Sequence, residues 1–143
     1  MPIATITAGR DAIYLQFETA WNAQTPPVPI LLYDDKEFDL PDGDIPWAFI
    51  MVRHVTGTQE TLGEIGGRRF RRKGIVTVQV RTPTGLGLST NDIFSKIALD
   101  AFEGIETAPD QVIFRRARLQ EVGNDGAWFL TNVMADFEYD EVK

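Results

Sequence analysis

Gly66-Gly67-Arg68-Arg69-Phe70-Arg71-Arg72-Lys73-Gly74-Ile75-Val76-Thr77-Val78-Gln79-Val80-Arg81 is the stretch on which the fold of this chain turns. Its far half alternates: Val76, Val78 and Val80 point one way and Thr77, Gln79 and Arg81 the other, the period of a strand with one buried face. Paired glycines accept the positive φ of tight turns, so residues 59–64 and 68–81 read as the arms of a hairpin joined near Gly66-Gly67. The near half is almost wholly basic. In a strand Arg69, Arg71 and Lys73 share one face while Arg68, Phe70 and Arg72 share the other. Unpaired guanidiniums are too costly to bury, so the hairpin, about residues 58–74, is expected to project past the core.

Upstream, Ala12/Ile13, Phe17 and Ala20/Trp21 recur at four-residue spacing, which predicts a helix from Thr7, with Thr7 as cap, that ends before Pro26. The prolines that follow cannot continue a helix and lead into a short strand, Ile30–Tyr33. Residues 34–44 hold Asp34, Asp35, Glu37, Asp39, Asp42 and Asp44 with Pro41 and Gly43, a composition that reads as a loop. A strand over 46–55 has apolar residues on both faces, with Trp47, Phe49, Met51 and Val55 opposite Ala48, Ile50 and Val52, so it is expected to be central.

Downstream, Ser89-Thr90-Asn91-Asp92 resembles a capping box. It opens a second helix whose apolar positions are Ile93/Phe94, Ile97/Ala98 and Ala101/Phe102, with Gly104 placed as a left-handed terminator. Strands over 112–122 and 127–139, joined by Gly123-Asn124-Asp125-Gly126, form a last hairpin. Hairpin-grouped strands with two helices predict one α+β domain over residues 1–143: a mainly antiparallel sheet, two helices on one face, and the projecting hairpin.

Composition bounds function. The chain has 143 residues, 43% hydrophobic and 24% charged, a balance that supports a folded domain. It has no Cys, which removes disulfides, thiolate nucleophiles and Cys-ligated metals. The longest apolar runs, at 28–33 and 47–52, are about six residues against the roughly 20 that span a bilayer, so no membrane contact is expected. No secretory leader is read at the N-terminus. The net charge of −7 argues against a nonspecific nucleic-acid coat, yet five of the 14 Lys and Arg crowd into residues 68–73.

Catalytic equipment is sparse. His54 is the single histidine, so a nucleophile activated by a base would depend on it alone. The acidic loop does not keep the spacing of a calcium-binding loop, because setting Asp34 first places Asp39 where the glycine belongs. Gly85-Leu86-Gly87-Leu88 lacks the Lys-Ser/Thr pair of a phosphate loop. No cofactor, metal or catalytic residue is expected. The candidate interface residues are Arg68, Arg69, Phe70, Arg71, Arg72 and Lys73 for a subunit, a tube or DNA. Asp34, Asp35, Glu37, Asp39, Asp42 and Asp44, with the acidic tail over 136–141, are the acidic surface that another copy's arm would meet.

Four features taken in order carry a resemblance. They are the helix with Ile13, Phe17 and Trp21; the acidic loop before Pro46-Trp47; the Gly-Gly-Arg-Arg-Phe-Arg-Arg-Lys-Gly hairpin running into Val76-Thr77-Val78-Gln79-Val80; and Pro83-Thr84-Gly85-Leu86-Gly87 opening a helix. Together they resemble the small tail-terminator and tail-completion proteins of long-tailed phages. The resemblance implies a virion structural protein of the tail, made in the host cytoplasm. It would form a ring of identical subunits, a hexamer, that caps the tail tube, stops its elongation and meets the head-completion or neck proteins. A neck or head-tail joining protein of the same particle is the alternative reading. From another class come a nucleic-acid module using the basic arm, with Phe70 as a stacking residue, and a small enzyme, such as a hydrolase, using His54 or the acidic loop with a metal.

Overall fold

The computed structural model describes residues 5–23, 30–37, 45–85, 87–107 and 112–143. Helix α1 is Ile6–Asn22 and helix α2 is Ser89–Phe102; the strands are β1 Ile30–Tyr33, β2 Trp47–Gln59, β3 Arg69–Pro83, β4 Ile113–Asp125 and β5 Trp128–Val142. They form one sheet ordered β1-β2-β3-β5-β4, parallel only between β1 and β2. The expected α+β architecture is the observed one.

Register explains which side is covered. Val52, Val76 and Ala135 stand abreast, as do Ile50, Val78 and Val133, and all are buried in one cluster with Ile13 and Phe17 of α1 and Ala98 and Phe102 of α2. Side chains alternate across a strand, so both helices lie on this one face. Phe17 stacks on Phe102 with centroids 5.9 Å apart, and Trp21 lies 5.3 Å from Phe17. Each such side chain contributes on the order of 2 to 3 kcal/mol by leaving water. The opposite face, with Met51, Thr77 and Met134 abreast, carries no helix among the described residues.

Several expectations are corrected. The first helix begins one residue before Thr7, and the side chain that caps it is Thr5, whose Oγ1 accepts from the Ala8 amide at 3.0 Å. Residues 59–64 are not a separate arm. Strand β2 runs on to Gln59, through a register shift between His54 and Thr56, so among the described residues the sheet has five strands rather than six. The start of α2 has no side-chain cap, because its N-cap position is Leu88, whose side chain has no acceptor, and Ser89 is already inside the helix; Asn91 turns inward. Its Nδ2 donates to Thr82 Oγ1 at 3.1 Å and to the Phe129 carbonyl at 3.3 Å, while its Oδ1 accepts from Thr131 Oγ1 at 2.6 Å and Ser95 Oγ at 3.2 Å. Ile93, read as a core position, is exposed. Gly104 does end α2 in the left-handed region, at φ 70°.

Candidate functional site

The basic run does not stand on a free hairpin. Arg69 to Lys73 form the middle of three strands, with Phe70 opposite Gln59 of β2 on one side and Glu141 of β5 on the other. An extended chain puts alternate residues on opposite faces, and β5 answers the basic alternation with an acidic one. On the helix-bearing face Arg72 Nη2 donates to Glu141 Oε1 at 2.6 Å, with the two side chains 20% and 8% exposed. That pair removes the reason for expecting both faces of the arm to be solvated: the guanidinium is covered because it is matched.

On the helix-free face the pattern is a stripe of carboxylates between two stripes of cations. Asp140 is met by Arg71 at 3.0 Å and Arg69 at 3.8 Å. Glu138 is met by Arg115 at 3.2 Å and Lys73 at 3.9 Å. Asp136 is met by Arg116 and, at 3.4 Å, by Arg118. Six cations therefore share three carboxylates, leaving a formal excess of +3 in a chain whose total is −7. The carboxylates are recessed, each about a fifth exposed, while the cations range from 38% to 79% exposed. The outermost layer of the face is thus cationic. A recess of about 430 Å³ opens here between Val55, Lys73, Ile75, Arg115, Arg116 and Glu138.

The remaining expected residues fall as follows. Phe70 has three cations around its ring, Arg68 at 5.6 Å, Arg72 at 5.7 Å and the Lys143 ammonium at 5.0 Å, so a stacking base would displace them. Arg68 also exchanges backbone hydrogen bonds with Lys143 at 3.2 and 2.9 Å, tying the arm to the C-terminus. In the acidic loop Asp34 pairs with Arg53, whose hydrogen bond holds the Asp34 carboxyl below its ordinary pKa. Asp35 and Glu37 are exposed. Asp39, Asp42 and Asp44 lie outside the described residues.

His54 belongs to a structural network. Its Nδ1 faces Arg10 Nη2 at 3.4 Å, which can only donate, so the neutral ring carries its hydrogen on Nε2 and donates to the Tyr139 hydroxyl oxygen at 2.6 Å. Burial, followed by Arg10 and Arg72, lowers the His54 pKa. Burial also pushes Tyr139 up to about 12. Among the described residues no three His, Asp or Glu side chains converge on a metal position.

Arg115, Arg116 and Arg118 are functional candidates that sequence reasoning missed. They are spread along an edge strand whose irregular register, between Arg115 and Arg118, hides which way each points. The local signal was the Arg115-Arg116-Ala117-Arg118 cluster set against the alternation of Asp136, Glu138 and Asp140.

The fold and face together define an α+β domain with one helical layer and one charged sheet surface that carries no helix among the described residues. No protein-family model matches the chain, and no curated protein matches it. A solved structure whose name states no function is similar over 91% of this chain and 94% of its own, with TM-score 0.60 and 16% sequence identity. At that identity the likeness shows the fold alone.

Proposed function

We propose that this chain is a virion structural subunit of the tail-terminator class. It assembles with copies of itself into a ring that caps the tail tube, stops its elongation and joins it to the head or neck, and it acts by assembly rather than catalysis. The observation that carries this reading is the sheet face that bears no helix among the described residues and is cationic in its outer layer, on a molecule that is acidic overall. Surfaces of that kind give orientation and speed to association.

Two further features support the reading. Beyond Ile50 no strand among the described residues pairs the outer edge of β2, and an unpaired edge is a template for another chain. The loop beyond it displays Leu62 and Ile65, 94% and 88% exposed, apolar side chains that contact with a neighbouring copy would take out of water. The sequence resemblance supplies the particle. Electron microscopy of the purified chain, alone and with isolated tail tubes, tests the proposal: rings that decorate tube ends are expected, and undecorated tubes with no rings would overturn it.

A further inference from the structure

The cationic face has a counterpart on the opposite side of the same molecule. Asp92, Lys96, Asp100 and Glu103 succeed one another at four, four and three residues, which places them in one stripe along α2. The stripe lies away from the buried Asn91, Ser95, Ala98 and Phe102. Asp92, Asp100 and Glu103 are all exposed. Lys96 is the sole cation over residues 89–107, and it pairs with Asp100 at 3.0 Å. Three acids against one base leave −2 on this surface, opposite in sign to the excess on the helix-free sheet face. No basic residue occupies the last turn of α2, so the partial negative charge of its carbonyl end adds to the stripe.

We propose that the helix-free face of one copy, through Lys73, Arg115, Arg116 and Arg118, docks the acidic stripe of α2 on a second copy. This rests on the reading above that the chain assembles with itself, and it names the surfaces that meet. The contact is heterologous: every copy offers its sheet face to one neighbour and its helix stripe to another. Such a contact closes into a ring when the turn between successive copies divides the circle. A second copy fits better than a polyanion, because the excess of +3 on one face leaves −10 on the rest of a −7 chain. That remainder repels phosphate and attracts this face. The recess beside Lys73 and Arg115, with Val55 and Ile75 in its wall, has room for a carboxylate-bearing side chain between the cations.

A reciprocal charge exchange tests the contact. One full-length variant carries Arg115→Glu, Arg116→Glu and Arg118→Glu; the other carries Asp92→Lys, Asp100→Lys and Glu103→Lys. Self-association is read by sedimentation, with circular dichroism to check folding. Each variant alone should associate at least about 100-fold more weakly than the parent, since like charges then face each other, and an equimolar mixture should recover association. The helix variant alters exposed positions remote from the β4 and β5 ion pairs, so it carries the test if the sheet variant fails to fold. Association of that helix variant at parental strength overturns the docking and leaves ring assembly standing. A mixture of folded variants that fails to recover overturns it too, as does loss of the parent's contact to a DNA oligonucleotide competitor without any effect of the helix substitutions. A parent chain that never associates overturns the ring reading itself.

Discussion

Arg72 and Glu141 face each other across strands β3 and β5 at 2.6 Å, beneath the helix-bearing side of the sheet. They lie next to the His54–Tyr139 hydrogen bond and share its electrostatics. The pair ties the C-terminal strand to the basic run. It converts what reads in sequence as a free cationic arm into the centre of a sheet.

Removing one member should cost more than removing both. Glu141→Ala leaves the guanidinium covered and unmatched, and a loss of about 2 to 3 kcal/mol is expected in urea unfolding. The double variant Arg72→Met/Glu141→Leu should recover at least half of that. A Glu141→Ala chain as stable as the parent would show that the pair is immaterial.

Gly74 stands opposite His54, beside the register shift of β2 between His54 and Thr56. A Cβ there would lie 2.0 Å from the Arg53 carbonyl oxygen and 2.6 Å from the Phe137 ring. Backbone cannot step aside as a flexible side chain can, so Gly74→Ala should destabilise by more than about 2 kcal/mol. Gly63→Ala, with nothing within 4 Å, is the control and should unfold within about 0.5 kcal/mol of the parent.

Acid sensitivity should trace to His54. Its pKa is lowered by burial and then by Arg10 and Arg72, so below about pH 6.5 the unfolded chain takes up a proton that the folded chain refuses. Stability from this group is complete above that pH and falls as the pH drops through it. Thermal melts between about pH 7.5 and 5.5 should show the fall in the parent, and His54→Gln should flatten it. Equal slopes in both chains would assign the acid sensitivity elsewhere.

Asn91 has all its hydrogen-bonding capacity spent on Thr82, Ser95, Thr131 and the Phe129 carbonyl. Asn91→Leu leaves those groups unsatisfied at 2% exposure, and a loss of about 3 kcal/mol is expected from chemical denaturation. Retention of parental stability would mean that the start of α2 is held by its apolar contacts alone.

Periodicity made most of the fold legible. The four-residue spacing of Ile13, Phe17 and Trp21 and the alternation of Val76, Val78 and Val80 each name a covered face, and that face is the one the helices occupy. Polar atoms that act inside the core were not legible, because nothing local marks Asn91 or Ser95 as buried. Charge pairing is hidden for a related reason. Taken alone Arg72 is too costly to bury, but β5 brings Glu141 beside it from 69 residues away. Strand pairing across such a separation sets the register, and no spacing within either segment reveals it.

Sedimentation equilibrium of the pure, full-length chain across a salt series tests the central claim most directly. A self-complementary subunit should form one closed species of fixed stoichiometry that weakens as salt screens the contact of sheet face and helix stripe. A single monomeric species, unchanged between low and high salt at concentrations up to about 100 μM and unable to bind tail tubes, would contradict it.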